Sequence, residues 1–281
     1  LLVLLTFVIG AQRGGADDKA GLILPFGMSF QPSELLKVSF ILSFAYHLSL
    51  VRETVSQPKT LALLCLHGAA PVLLIHLQGD DGTALIFAAI FVGMLFAAGL
   101  EWRYILGAAG AVLAALPILW FFIFSEDQRN RILTVLNPEL DPQGIGYQQI
   151  TGQMAIGSGS VFGSGVYSGS HVYVPEIQND LIFSFIGNAT GFIGCLGVIV
   201  LLAFLCYQVL RTGTRAKDPL GLYICAGVFS QLAAQIIANL GMCLGVLPVI
   251  GLTLPFISAG GTSVVTLYMS LGLVLSVYRY S

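Results

Sequence analysis

The sequence predicts an all-α fold, a polytopic transmembrane helix bundle with one large extracytoplasmic loop. A soluble globular domain carries about 25% charged residues, whereas 9% of this 281-residue chain is charged. Several long stretches contain no charged residue at all, namely 83–100, 104–124, 181–210 and 219–278. Because a spanning helix needs about 20 apolar residues, each stretch can hold at least one span.

We place about seven full spans in chain order, preceded by a partial one at 1–10. The full spans lie near 33–51, 60–77, 82–100, 103–124, 178–210, 219–247 and 260–278. The stretch 1–10 is too short to cross a bilayer, and we expect it to end a helix that begins before this sequence. We expect residues 1–281 to form a single membrane domain.

The charges predict the orientation of the connections. Basic residues favour the cytoplasmic side of a membrane. Successive connections lie on alternate sides of the membrane and so form two sets. Basic residues predominate in the set that comprises 52–59, 101–103, 211–218 and the end of the chain. This set is therefore expected to face inward, and the mainly acidic set to face outward.

The longest outward connection, 125–180, is expected to carry function, because ordered loops of this length are uncommon otherwise. Its segment QQITGQMAI predicts a short amphipathic helix, whereas the following GSGSVFGSGVYSGS is unsuited to one. A plain linker is the alternative, although aromatic and apolar residues such as Tyr147 and Phe162 give the loop anchors. We expect His171 to be solvated.

Two candidate polar sites lie at the starts of early spans. Glu34 and Lys37 share a helix face, and an ion pair in the membrane is a functional candidate; a structural pair at the interface is the open alternative. Asp80 lies in a turn before a span, where helix capping is favoured over catalysis.

A third candidate is Asp180, where the outward loop meets the membrane. If Pro175 begins the helix, Glu176 and Asp180 are four residues apart on one face. Spacing alone favours helix capping, but a carboxylate partly withdrawn from water also suits a general base.

Further candidates are less specific. The uncharged stretch 239–263 is interrupted by Gly, Pro, Asn and Ser, and such backbone must line a cavity or be packed within protein. Asn239 and Ser258 are its candidate residues. Arg131, with Arg129 and Lys19, is an outward cation that could assist an anionic leaving group, and surface solvation is the alternative.

Several segments, in this order, resemble the SEDS family (shape, elongation, division and sporulation), which includes RodA, FtsW and SpoVE. They are FQPSELLK, QGDDGTAL, RILTVLNPELDPQGIGYQ, AIGSGSVFGSG, VPEIQNDLIF and NLGMCLGVLPVIGLTLPFISAGGTS. The resemblance implies a ten-helix peptidoglycan glycosyltransferase of the bacterial cytoplasmic membrane, which polymerises lipid II into glycan strands. It also implies that two helices and part of a third precede this sequence.

The resemblance assigns roles to particular residues and partners. It implies that Asp180 is the essential carboxylate, that Glu34 and Lys37 are the family's acidic–basic pair, and that Asp80 is a matching aspartate. Glycan transfer would release undecaprenyl pyrophosphate, for which a divalent cation, Mg²⁺ or Mn²⁺, is expected. The expected partner is a class B penicillin-binding protein, and no nucleic acid is expected to bind.

The chain departs from the family pattern at several positions. Asn188-Ala189-Thr190-Gly191 stands where Glu-Glu-Leu-Gly is usual, Ser164 where Lys is common, Thr151-Gly152 where Gln-Ser is usual, and Gly21-Leu22 where Arg-Trp is expected. These departures leave the physiological branch open.

Two other classes of function remain at this point. A lipid II flippase or other transporter would use buried ionisable groups and broken helices, and the Glu34–Lys37 pair and the 239–263 stretch are its best support. A non-catalytic scaffold for wall synthesis would make no demand on Asp180.

Overall fold

A computed structural model describes residues 2–9, 21–23, 29–168, 171–175 and 177–280. Within these ranges the chain is almost entirely helical, with one short antiparallel pair of strands. The helices are α1 (Leu2–Ile9), α2 (Pro32–Leu50), α3 (Pro58–His76), α4 (Asp81–Ala97), α5 (Trp102–Ile118), α6 (Glu126–Leu136), α7 (Ile145–Ser158), α8 (Ile182–Thr214), α9 (Pro219–Cys243) and α10 (Gly261–Tyr280). The strands are β1 (Leu22–Ile23) and β2 (Ser29–Phe30), which pair Leu22 with Phe30.

The helices confirm the predicted membrane bundle. Each of the seven predicted full spans corresponds to a helix, from α2 to α5 and from α8 to α10. Among the described residues, five helices are long and apolar enough to cross a membrane, and α4 is a shorter apolar helix. The helix α5 continues into a π-helical turn over Leu119–Ile123, which begins two residues after Pro117, whose ring cannot fit a regular helical hydrogen-bond pattern.

The outward loop 125–180 is more regular than its composition predicts. The expected amphipathic helix is present as α7, and turns replace helix after Ser158. A second helix, α6, was not predicted. Its start is fixed by a capping box in which Ser125 and Gln128 bond each other's backbone N–H groups, and the sequence SEDQ carries that signature.

The chain divides into two compact units. Unit 1 comprises 1–99, 203–235 and 259–281, and unit 2 comprises 100–202 and 236–258. In unit 1, α2 packs against α3, α4 and α10, around fully buried side chains such as Phe44 and Phe87. In unit 2, buried apolar side chains of α7, α8, α9 and the loops form one cluster. The expectation of a single membrane domain stays a prediction.

Candidate active site

In unit 1, the predicted Glu34–Lys37 pair is formed and buried. Lys37 Nζ donates to Glu34 Oε1 at 2.7 Å, and the two side chains are 0% and 7% exposed. The other Glu34 oxygen accepts from Thr266 Oγ1 of α10 at 3.3 Å. Since an unpaired charge at this depth would be very costly, each ion depends on the other for its stability.

Asp80 lies in the same unit and caps α4, as the sequence favoured. Its Oδ1 accepts from the backbone N–H of Thr83 at 2.9 Å, and its Oδ2 accepts from Gln31 Nε2 at 3.0 Å. The backbone N–H of Gln31 donates to Thr262 Oγ1 at 3.3 Å. The starts of α2, α4 and α10 are thus joined by one polar network, in which Asp80 has a structural role.

In unit 2, Asp180 lies in a turn just before α8 and not on a helix. The helix begins at Ile182, and residues 177–181 form turns. The condition that Pro175 begins the helix is therefore not met, and Asp180 precedes the first helical turn. Glu176 itself lies outside the described residues. Asp180 is half-buried, and its Oδ1 atom is shielded from solvent.

The side chain of Asn239, on α9, fixes the turn that contains Asp180. Asn239 Nδ2 donates to the carbonyl oxygen of Asp180 at 2.7 Å and to that of Leu252 at 2.6 Å. The neighbouring Cys243 thiol lies 3.7 Å from the same Asp180 carbonyl oxygen. Asn239 is fully buried, so its amide replaces the water that these carbonyl groups would otherwise need.

Apolar anchors hold the turn from its two sides. Leu181 and Val174 are buried in the unit 2 cluster, together with Met242 and Leu254. Ser258 closes the following loop, because its hydroxyl accepts from the Leu254 N–H at 2.8 Å. Asn239 and Ser258 therefore act on the backbone, which fits the prediction that the 239–263 stretch is packed within protein.

A polar cluster joins the Gly/Ser-rich segment of the loop to α8. Asn188 donates from Nδ2 to Ser158 Oγ at 2.6 Å, and its Oδ1 lies 2.5 Å from His171 Nδ1. Its backbone oxygen accepts from Ser164, through the N–H at 2.9 Å and the hydroxyl at 3.1 Å. His171 is half-buried and bonded, so the expectation of a solvated histidine is wrong.

This cluster explains two of the departures from the family pattern together. Ser164 stands at a usual Lys position and Asn188 at a usual Glu position, and the structure places these two residues in contact. A neutral hydrogen-bonded set thus occupies positions where the family pattern has charges. The contact between them is long-range, and the spacing of residues in the sequence gave no signal for it.

Glycines let the loop approach α8 closely. Gly191 has φ 68° and interrupts the helical geometry of α8, and a Cβ there would lie 2.5 Å from the Gly163 nitrogen. Gly163 has φ 79°, a conformation that glycine adopts without strain. The break frees backbone groups near Gly191, and the N–H of Phe192 donates to the Ser160 oxygen at 2.9 Å.

The outward cations lie on α6. Arg129 is half-buried, and its Nη2 donates to the Phe121 carbonyl oxygen at 3.2 Å. Arg131 is also half-buried, and its assistance to a leaving group stays a prediction. Lys19 lies outside the described residues.

The donor set near Asp180 bears on the expected cation. The described part of the chain holds no group of three or more His, Cys, Asp or Glu side chains that could bind a metal ion. Mg²⁺ commonly binds through one or two carboxylates together with substrate phosphates. The described residues therefore offer no cage of protein ligands for the expected cation, and its binding stays a prediction.

Comparison with known proteins gives consistent results. The family model described as cell cycle protein, for FtsW, RodA and SpoVE, matches residues 1–281. The chain is 37% identical to a probable peptidoglycan glycosyltransferase FtsW of Geobacter metallireducens, over 99% of this chain and 74% of that protein. It is 34% identical to the peptidoglycan glycosyltransferase MrdB of Escherichia coli, over 89% of this chain and 68% of that protein.

Solved structures show the same fold. A structure of a peptidoglycan synthase complex that coordinates polymerization and crosslinking matches with a TM-score of 0.85 and 30% identity, over 99% of this chain and 77% of that one. The crystal structure of Thermus thermophilus RodA matches with a TM-score of 0.70 and 27% identity, over 99% of this chain and 74% of that one. The chain therefore belongs to the FtsW, RodA and SpoVE family of cell cycle proteins, and it is a multi-pass protein of the bacterial inner membrane.

Proposed function

We propose that this chain, a peptidoglycan glycosyltransferase, polymerises lipid II with Asp180 as its general base. The observation that carries the proposal is the position of Asp180. Its carboxylate is half-buried at the start of a membrane helix, and its own backbone oxygen is held by the buried amide of Asn239. A base must be held in place to accept a proton from a bound hydroxyl.

In the proposed reaction, Asp180 accepts the proton of the acceptor sugar's 4-hydroxyl group. The resulting oxygen attacks the anomeric carbon of the donor, the bond to the pyrophosphate breaks, and undecaprenyl pyrophosphate leaves with the electron pair. Attack in line from the opposite face inverts an α-linked donor to a β-linkage. General-base assistance contributes about 10²–10⁴-fold to such a rate.

The leaving pyrophosphate needs charge stabilisation beyond proton transfer. A divalent cation, Mg²⁺ or Mn²⁺, would neutralise its oxygens on the face opposite the attacking hydroxyl. Arg131 would add positive charge from α6. Removal of divalent cations with a chelator should abolish polymerisation. Addition of Mg²⁺ or Mn²⁺ should then restore it. Full activity in the presence of the chelator would contradict the cation requirement.

The partner in this proposal is a class B penicillin-binding protein. Support comes from the similarity to a member of a peptidoglycan synthase complex that coordinates polymerization with crosslinking. Co-expression should allow the two proteins to be purified together, and the complex should polymerise lipid II faster than the chain alone. Equal rates with and without the partner would argue against a functional complex.

The central experiment replaces Asp180 in the purified complex and measures lipid II polymerisation. Asp180→Asn and Asp180→Ala should each reduce kcat by about 10²-fold or more. Because Asn239 contacts the backbone oxygen and not the carboxylate, both variants keep that contact and should fold. The matched control is Asp127→Ala, which removes an exposed carboxylate of the same outward loop and should retain activity.

Retained polymerisation in a well-folded Asp180→Asn variant would exclude the general-base role. A transport function is favoured by one observation, the buried Glu34–Lys37 pair. Lipid II movement across vesicles containing the chain, without glycan formation, would support that alternative. The Thr266 hydrogen bond to Glu34 instead fits a static, structural pair.

A further inference from the structure

The imidazole ring of His171 lies between two oxygen atoms, one at each ring nitrogen. Its Nδ1 is 2.5 Å from Asn188 Oδ1, and its Nε2 is 3.0 Å from the carbonyl oxygen of Val166. A carbonyl oxygen can only accept a hydrogen bond, so Nε2 must carry a proton to bond Val166. Whether Nδ1 must carry one as well depends on the orientation of the Asn188 amide.

The surrounding hydrogen bonds determine that orientation. The Ser158 hydroxyl donates its single proton to the Ala155 carbonyl oxygen at 2.8 Å, so Ser158 Oγ can only accept from Asn188. The Asn188 atom that faces Ser158 at 2.6 Å is therefore the nitrogen, Nδ2. The atom that faces His171 is then the amide oxygen, which has no proton to donate. Nδ1 of His171 must be the donor in this second bond too.

Only the cationic, doubly protonated form of His171 satisfies both oxygens. A neutral imidazole has one N–H group, so either tautomer would direct a nitrogen lone pair at an oxygen 2.5 or 3.0 Å away. The Phe185 ring favours the same form, because its centroid lies 5.2 Å from that of His171. This is within the roughly 6 Å over which an aromatic ring can attract a cation.

The elements packed around His171 supply no competing charge. The ring contacts the loop segment 159–168 and α8, and Asn188 joins it to the end of α7. These elements contain no Asp, Glu, Lys or Arg before residue 211. Their titratable side chains are phenols and thiols, which are uncharged near neutral pH, namely Tyr147, Tyr167, Cys195, Cys206 and Tyr207. The acidic residues nearest to His171 in sequence are Glu176, outside the described residues, and Asp180, which precedes α8.

We propose that His171 is a pH-sensitive latch that fastens the extracytoplasmic loop to α8. In its cationic form the side chain joins Val166 of the loop to Asn188 of α8. The loop backbone is attached at the same place, where the N–H groups of Ser164 and Gly165 donate to the Asn188 and Ala189 oxygens at 2.9 and 3.0 Å. The latch does not depend on which residue is the general base.

The direction of the pH effect follows from the count of donors. Histidine side chains exchange their proton with water between about pH 5 and 8. Loss of the proton removes one of the two N–H donors and places a lone pair against an oxygen. The latch is therefore closed at the acidic end of this range and weakens as the pH rises. Because the loop is expected to face outward, it would respond to the pH outside the cytoplasm.

The test measures hydrogen–deuterium exchange by mass spectrometry, on the full chain in detergent, at several pH values between about 5 and 8. Peptides that cover 159–168 report the Ser164 and Gly165 amides, which bond α8. After correction for the intrinsic pH dependence of exchange, wild-type protection should fall about tenfold or more across this range, as expected for one hydrogen bond to a charged group. His171→Leu, which has no donor, should show low protection at every pH.

A second variant shifts the pH profile without removing the histidine. Asn188→Asp places a carboxylate opposite the imidazolium, and an opposite charge favours the charged form. Protection of 159–168 should then persist to higher pH than in the wild type. A histidine with a purely structural role would give no such shift.

His76→Gln is the matched control, because it removes another outward histidine, which is bonded to Asp81 at the end of α3. This variant should keep the wild-type pH profile in 159–168. Protection that does not change with pH in the wild type would overturn the proposal, and so would a wild-type profile in a folded His171→Leu variant. If His171→Leu does not fold, an Asn188→Asp profile identical to that of the wild type would overturn it.

Discussion

The side-chain amide of Asn239 joins the carbonyl oxygens of Asp180 and Leu252, at 2.7 and 2.6 Å. Its two N–H groups are thus both used, one on the turn before α8 and one on the loop after α9. Two irregular segments of the backbone depend on a single buried side chain. Asn239 is therefore a positioning residue for Asp180.

Asn239→Ala should lower the free energy of unfolding by about 1–3 kcal/mol, because it removes the amide donor from the carbonyl oxygens of Asp180 and Leu252. Polymerisation should fall mainly through kcat, since the proton acceptor moves while the lipid-binding surface stays. Thermal unfolding and steady-state kinetics would measure the two effects. Asn130→Ala, at an exposed position of α6, is the control. Wild-type stability and kcat in Asn239→Ala would contradict the positioning role of Asn239.

Because Glu34 and Lys37 form a buried pair, substitutions at the two positions should have strongly non-additive effects on stability. Lys37→Met alone should destabilise the protein by about 3–5 kcal/mol, because it leaves a buried carboxylate without its counterion. The double variant Glu34→Gln/Lys37→Met should recover most of that loss, since no net charge remains buried. A double-mutant cycle of unfolding free energies provides the measurement. Additive effects would show that the two ions do not stabilise each other.

The polar cluster around Asn188 predicts how the loop is attached. Asn188→Ala removes the side-chain bonds to Ser158 and His171, at about 0.5–1.5 kcal/mol each. Limited proteolysis should then cleave the 159–168 segment faster while the membrane helices stay intact.

The same cluster can be tested by restoring the charges of the family pattern. Asn188→Glu should be destabilising alone, and Ser164→Lys should relieve that loss, because the two side chains are in contact. Proteolysis rates and melting temperatures of the single and double variants would measure the coupling. If Asn188→Glu and the double variant Asn188→Glu/Ser164→Lys lose the same stability, residues 164 and 188 do not interact.

Gly191 predicts a sharp contrast between two glycines of the same helix. Gly191→Ala should be destabilising, since its φ of 68° and ψ of −163° lie in a region essentially restricted to glycine, at a cost of about 1–3 kcal/mol, and its Cβ would lie 2.5 Å from backbone atoms of the loop. Gly197→Ala should be neutral or stabilising, because open space surrounds that position and Ala is the better helix former. Thermal unfolding of the two variants would distinguish them, and equal melting temperatures would contradict the analysis.

The sequence predicted the features that depend on local composition. Uncharged stretches located the membrane helices, and the Gly/Ser-rich run located the end of α7. The span near 178–210 was predicted, and α8 begins at Ile182 because contacts from Asn239 and Leu181 hold the preceding residues in turns. The contacts of Asn188 and His171 with the loop are long-range, and the sequence pattern carries no information on such pairs.

The length of α8 gives the break at Gly191 a consequence for chemistry. A straight rod of 33 residues would extend about 50 Å, well beyond the roughly 30 Å of hydrocarbon. Because the helix is interrupted at Gly191, only the 191–214 segment, about 36 Å long, has to follow one direction. Residues 182–190, about 14 Å of helix, then lie between the turn that holds Asp180 and the break at Gly191. The loop segment 160–163 contacts α8 at this break, so the break also fixes how far the loop lies from the Asp180 turn along the helix.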